Sequence, residues 1–165
     1  MIRRTALPFR GTVAMRGRAT LRTRATTVAM LGVAACSATP SLILPDGAAP
    51  TALALPALLA THPLADGENI RADLVGQTRA LSAHLVQVRD REVSHQHAHH
   101  DLVVTLLRGR GTMHAAGRAL PMRAGDVAVV PRRTVHFFVN DGTDPAVAFV
   151  TFAPPHDGRD QVPAP

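Results

Sequence analysis

Short apolar stretches separated by turn signals constrain the fold of this chain more than any other feature of its sequence. From about residue 69 they recur at intervals of roughly ten residues, and most are too short to form a helix. This spacing is typical of a small antiparallel sandwich or barrel. The sequence therefore predicts one all-β domain over residues 69–155. Its strands are predicted at 81–88, 102–107, 112–115, 119–122, 127–130, 135–139 and 146–152.

Three local predictions accompany this domain. The stretch 102–107 (LVVTLL) is apolar throughout, which predicts a strand covered on both faces. Ala116 and Gly117 predict a two-residue hairpin turn, in which Gly takes a positive φ. For residues 71–84, a short helix is the alternative to a strand.

The first 35 residues differ in charge from the rest of the chain. They hold seven Arg and no acidic residue, whereas residues 36–165 hold 11 Arg against 12 Asp and Glu, a net charge of −1. The formal charge of +6 therefore belongs to the leader, and the remainder has no excess positive charge with which to bind nucleic acid. An apolar run over 25–35 follows the arginines and is too short to span a bilayer. Residues 1–35 are thus predicted to be a signal peptide.

The apolar run ends in Val33-Ala34-Ala35-Cys36, which resembles a bacterial lipobox, where the peptide is cut before Cys and the thiol takes a lipid. This resemblance implies an exported protein that is anchored to the cell envelope through lipidated Cys36 and contacts the membrane through that anchor only. Plain secretion and a cytosolic protein with a misassigned start are the alternatives, and a start at Met15 would shorten the leader. Because Cys36 is the one Cys in the chain, no intramolecular disulfide can form.

Two segments outside the domain are rich in breakers of regular structure. Residues 36–68 contain many Ala and Pro and are predicted to form a tether, with 53–60 docking onto the domain or the whole segment disordered. Residues 156–165 follow two prolines and are predicted to form a loose tail. His156 lies in that tail and is assigned no role.

Four of the nine histidines lie between residues 95 and 100. On an extended strand, alternation of side chains would place His95, His97 and Asp101 on one face and His100 on the other. Imidazole and carboxylate groups together suit a divalent transition metal, namely Fe, Mn, Ni, Cu or Zn. An exposed polar loop with incidental metal affinity is the alternative.

A second motif lies further along the chain. Residues 125–140 read G-x5-P-x4-H-x3-N, with His136 as the histidine. Together with the His tract and Gly109, this resembles the paired signature motifs of the cupin superfamily. The resemblance implies a small antiparallel β-barrel or jelly roll with a metal inside it. The family's metal ligands then fall on His95, His97, Asp101 and His136.

The motifs depart from the family pattern at a few positions. Arg133 stands where the second motif has Gly, and Arg89 stands where the first motif begins with Gly. Asp101 replaces Glu and is one methylene shorter, so His100 is the substitute ligand if the carboxylate does not reach the metal. Seven residues rather than six separate Asp101 from Gly109.

These observations support several classes of function. The first is an exported module that binds a divalent transition metal, and the alternative is a metal-dependent enzyme of dioxygenase or isomerase type. A barrel with a vestigial site is the third. The predicted partner is a small-molecule ligand or substrate that coordinates the metal, and unpaired edge strands make a homodimer plausible. Because the predicted domain contains no Tyr, Lys or Cys, any acid or base there is His, Asp, Glu92 or metal-bound water.

Overall fold

A computed structural model describes residues 39–46 and 49–164 of the chain. The predicted signal peptide and Cys36 lie outside these residues. The elements are β1 (Ser41–Asp46), β2 (Ala49–Ala54), α1 (Leu55–Thr61), β3 (Ile70–Gln77), β4 (Ser82–Val88), β5 (His95–Gln96), β6 (Asp101–Arg108), β7 (Arg110–Ala115), β8 (Arg118–Arg123), β9 (Val127–Val130), β10 (His136–Asn140), β11 (Ala146–Ala153) and β12 (Val162–Pro163). Within the described part of the chain, no helix has the length and apolarity that a membrane crossing requires.

Two five-stranded antiparallel sheets pack against each other. Their strand orders are β12-β5-β10-β7-β8 and β3-β4-β11-β6-β9, and β1 pairs with β2 as a separate hairpin. The main core lies between the sheets and includes Leu102, Leu106, Met113, Phe138 and Val150. Inward and outward side chains alternate along the strands, as a two-layered β-domain requires. The predicted all-β antiparallel fold is confirmed.

The predicted strands between residues 81 and 152 correspond to β4 and to β6–β11. The hairpin turn is also as predicted, with φ of 50° at Ala116 and 75° at Gly117. Residues 70–77 form β3, which pairs with β4, so the helix considered as the alternative for residues 71–84 does not form. The expectation that residues 102–107 are covered on both faces holds only in part, because Val103 on the outer face is 41% exposed whereas Leu107 on that face packs against a buried apolar cluster.

The segment predicted to be a tether is structured over residues 41–46 and 49–61. The β1–β2 hairpin leads directly into α1, and Leu42, Leu55 and Leu58 are buried there. They form a second apolar cluster with Leu85 and Val147, on the opposite side of the β3–β9 sheet from the main core. Pro does not prevent this, because helix α1 has its proline in the first turn, where no amide hydrogen is needed.

The C-terminal residues are not a loose tail. Strand β12 pairs with β5, next to the His tract, and Asp160 is only 8% exposed. The carboxylate of Asp160 accepts hydrogen bonds from the backbone N–H groups of Ala98 (3.0 Å) and His99 (2.8 Å). These bonds hold the segment against the end of the barrel that carries the histidines.

Candidate metal centre

Three histidines from separate points of the chain meet at one end of the five-stranded sheet that contains β5 and β10. His95 on β5 is the direct cross-strand partner of His136 on β10, and His97 follows immediately after β5. All three rings are buried. Their centroids are 4.4 Å apart for His95 and His136, 5.1 Å for His95 and His97, and 5.5 Å for His97 and His136. Their candidate ligand atoms all lie within 4.8 Å of one another.

Each of these rings is oriented by a backbone carbonyl. The Nδ1 atom of His95 bonds to the oxygen of Val93 (2.8 Å), and that of His136 bonds to the oxygen of Thr134 (2.8 Å). The Nδ1 atom of His97 bonds to the oxygen of Asp160 (2.7 Å). A carbonyl oxygen can only accept, so Nδ1 carries the proton in each ring. All three Nε2 atoms therefore keep a lone pair for a ligand, which is the arrangement typical of metal-binding histidines.

The surroundings favour the neutral form of the His97 and His136 rings. Burial lowers the pKa of His97 to about 4, although the hydrogen bond to Asp160 opposes the change. Burial likewise lowers the pKa of His136, against the opposing effect of its bond to Thr134. A metal competes with protons for imidazole nitrogen, so neutral rings at neutral pH are ready to ligate.

The turn before β10 also contacts the site. Arg133, at the position where the cupin motif has Gly, adopts a φ of 64°. This is the left-handed region that favours Gly. The N–H of Arg133 donates to the carbonyl oxygen of His97 at 2.6 Å. Arg133 thus holds a turn conformation that Gly adopts without strain.

Asp101, the predicted fourth ligand, does not join the three histidines. Its carboxylate accepts hydrogen bonds from the backbone N–H of Arg132 (2.8 Å) and from the guanidinium Nη2 (2.6 Å), in a pair that is open to solvent. Those bonds lower the pKa of Asp101 to about 2. Strand alternation does not extend to Asp101 because β5 ends at Gln96 and the chain bends before β6 begins. This placement contradicts the expectation that Asp101 shares the face of His95 and His97.

His100, the predicted substitute ligand, is engaged on both ring nitrogens. Nδ1 lies 2.5 Å from the carboxylate of Asp160, and Nε2 lies 3.2 Å from the carbonyl oxygen of Pro155. Both ring nitrogens thus face acceptors of the protein, and His100 is not in the group formed by His95, His97 and His136. Although His97, His100 and His156 form a second group with metal-ligand spacing, His97 is common to both groups. The His95–His97–His136 group is therefore the stronger candidate.

His156 and Asp160 are the site residues that sequence reasoning missed. The ring of His156 stacks on Phe152 with centroids 4.5 Å apart, and its Nδ1 is buried with no hydrogen-bond partner among the described residues. Burial raises the cost of ionising Asp160, but its bonds to His99, His100 and Ala98 outweigh this and hold its pKa below the ordinary value. Nothing in the Pro-rich terminal sequence signals that it returns to the His tract.

A cavity of about 310 Å³ between the sheets opens onto the three histidines. Its wall includes Glu92, whose Oε2 accepts the backbone N–H of Phe138 at 2.8 Å. Burial raises the pKa of the Glu92 carboxyl, although His95 and the Phe138 bond oppose the change. His84 also lines the cavity, and its Nε2 lies 3.0 Å from the hydroxyl of Ser82.

Comparison with known proteins agrees with this architecture. The cupin domain family matches residues 84–152. An uncharacterized protein of Aquifex aeolicus (strain VF5) is 36% identical over 95 residues, which are 58% of this chain and 78% of that protein.

Solved structures show the same fold. KdgF from Halomonas sp. is 27% identical with a TM-score of 0.51, over 54% of this chain and 82% of KdgF. TT1209 from Thermus thermophilus is 22% identical with a TM-score of 0.52, over 58% and 95% of the two chains. A variant of Streptomyces PAC13 with uridine is 21% identical with a TM-score of 0.50, over 58% and 78%. With the motifs, the fold and the buried histidines in agreement, this chain belongs to the cupin superfamily.

Proposed function

We propose that this protein binds a divalent transition metal through the Nε2 atoms of His95, His97 and His136, beside a cavity that receives a small molecule. The observation that carries the proposal is the set of three Nδ1–carbonyl hydrogen bonds, which leaves three neighbouring imidazoles with their lone pairs free. Three imidazoles without a carboxylate favour Fe, Ni, Cu or Zn over Mn. Once bound, such an ion supplies a Lewis acid with open coordination positions for a small molecule.

A second candidate function is a metal-dependent enzyme of isomerase or dioxygenase type. The observation that favours it is Glu92, the single carboxylate among the described residues that line the cavity. Its raised pKa brings the carboxyl closer to the range in which it can take up and release a proton at neutral pH. Glu92 is not in the group of potential ligands, so its carboxylate is available to a molecule in the cavity.

The proposed location is the cell envelope, with the protein exported and anchored through a lipid on Cys36. Support comes from the arginine-rich leader, the apolar run and the lipobox-like residues before Cys36. Mass spectrometry of the mature N-terminus tests this: a lipid on Cys36 is expected, and an unmodified thiol or another cleavage site would contradict it.

The metal proposal is tested by elemental analysis of the purified full chain and two variants. His136→Ala removes one proposed ligand, whereas His99→Ala removes an exposed histidine of the same tract that belongs to neither group. We expect about one ion per chain in the parent protein and in His99→Ala. We expect little or none in His136→Ala. Equal metal in both variants would mean that the tract binds metal adventitiously, and the proposal would fail.

Glu92→Gln separates the two candidate functions. The change keeps the shape of the side chain and its acceptor oxygen for Phe138 but removes the titrating group. An enzyme that uses this carboxylate should retain its metal and lose turnover. A binding module should retain both its metal and its ligand affinity.

A further inference from the structure

The cavity beside the three histidines has a largely apolar wall. Of the described residues that line it, most are aliphatic or aromatic: Ile70, Ala72, Val86, Val88, Leu102, Val104, Leu106, Met113, Met122, Phe138, Ala146, Ala148, Val150 and Phe152. They come from both sheets, so the apolar surface surrounds the space rather than covering one side of it. At about 310 Å³, the volume is at the small end of the range for small-molecule sites.

Seven of the described residues that line the cavity are polar, and none of them carries a permanent positive charge. They are Glu92, Gln161 and the histidines at 84, 95, 97, 136 and 156. The chain has no Lys, and none of the described lining residues is Arg.

The two arginines that shortly precede Glu92 in the sequence are engaged elsewhere. The guanidinium of Arg89 donates to the backbone oxygens of Glu68 (2.9 Å) and Ala65 (3.1 Å). That of Arg91 lies 5.1 Å from the centre of the Phe137 ring. Neither residue lines the cavity. Apart from a metal, nothing on the described wall would balance a negatively charged group on a ligand.

We propose that this cavity takes an uncharged, largely apolar small molecule whose single polar end ligates the metal. The proposal rests on the metal site proposed above and adds the class of ligand to it. Molecules that carry an anionic group away from the metal-ligating end are disfavoured, because that charge would be buried among apolar side chains without a cation. The Glu92 carboxylate, when ionised, would add repulsion to that cost.

The test uses two probes with the same metal-ligating group. Benzohydroxamic acid has an apolar ring, and 4-carboxybenzohydroxamic acid adds one carboxylate at the far end of it. Calorimetric titration of the metal-loaded full chain measures both dissociation constants. We expect the uncharged probe to bind at least about a hundredfold more tightly, because the added carboxylate loses its hydration with no partner.

Two arginine substitutions on strands provide a matched pair. Ile70 is 36% exposed and lines the cavity, so Ile70→Arg places a cation at its rim. Val103 is 41% exposed on the outer face of β6 and does not line the cavity. We expect Ile70→Arg to reduce the ratio of the two dissociation constants at least about tenfold and Val103→Arg to leave it unchanged.

The outcomes separate this inference from the metal proposal. A metal-loaded protein that binds both probes equally, prefers the charged one or binds neither overturns the proposed ligand class and leaves the metal site intact. A ratio that responds equally to both arginine variants also overturns it. A chain that binds no metal overturns the proposed function and, with it, this inference.

Discussion

The Asp160 carboxylate offers the sharpest test of how the C-terminal segment supports the metal site. Its side chain accepts hydrogen bonds from Ala98 N–H, His99 N–H and the His100 ring, at 3.0, 2.8 and 2.5 Å. Its backbone oxygen accepts the Nδ1–H of His97, a proposed ligand. Asp160→Ala would remove the side-chain bonds and loosen the segment that carries this backbone oxygen.

The magnitude follows from the burial of these groups. Asp160 is 8% exposed, and the His100 imidazole that faces it is buried as well. Removing one partner of such a buried pair costs roughly 3–5 kcal/mol, because the other is left without its hydrogen bond. We therefore expect Asp160→Ala to lower the free energy of unfolding of the metal-free protein by about 3 kcal/mol. Loss of an orienting partner is expected to weaken metal binding about 10- to 100-fold.

Urea unfolding measures the free energy of unfolding. Competition with a chelator measures the metal affinity, under conditions in which the variant is folded. Asp157→Ala is the control, since Asp157 is exposed in the same segment and its carboxylate accepts the nearby Arg159 N–H at 3.0 Å. The control should behave like the parent protein. The reasoning fails if Asp160→Ala unfolds within about 1 kcal/mol of the parent and binds metal equally well, since that is the scale of an ordinary surface substitution.

Three further predictions concern single residues. As the pH falls from about 7 to 4, the metal-free protein should lose about 3 kcal/mol of unfolding free energy through His97. The reason is that the unfolded ring, with a pKa of 6.5, takes up a proton that the folded ring, with a pKa of about 4, resists. A urea midpoint that does not change with pH would contradict this. Gly111→Ala should cost about 3 kcal/mol or more in thermal or urea unfolding, because its Cβ would lie 2.2 Å from the Phe138 ring and the Val139 oxygen; an unchanged midpoint would refute the close contact. Asp101→Asn should leave the metal content at the parental level, because the Asp101 carboxylate binds Arg132. If the variant loses its metal, Asp101 is a ligand after all.

The β-domain could be predicted because its information is local. Alternating apolar residues, short stretches and the Ala116-Gly117 turn indicate strands and hairpins through side-chain period and backbone preference alone. Val103 is an example of a feature that local sequence pattern does not predict. An apolar residue indicates a strand, but whether its outer face is covered depends on which other segment packs there, and α1 with its hairpin covers a different part of that sheet.

The site was predictable in part for the same reason. His95 and His97 are two positions apart in the chain, and His136 follows from a motif with fixed spacing. Asp101 was misplaced because alternation holds only along an unbroken strand, and a bend separates β5 from β6. His156 and Asp160 were missed because they reach the site from some sixty residues further along the chain.

The amino-acid sequence alone thus determined the antiparallel strands, their turns and the identity of three neighbouring imidazoles, since each depends on short-range pattern or on a spaced motif. Tertiary structure decided which nitrogen of each ring is free, which carboxylate stands near the site and how the terminal segment closes it. Those outcomes depend on backbone carbonyls and side chains that meet only after folding, when burial makes each unpaired polar group costly and so selects its partner.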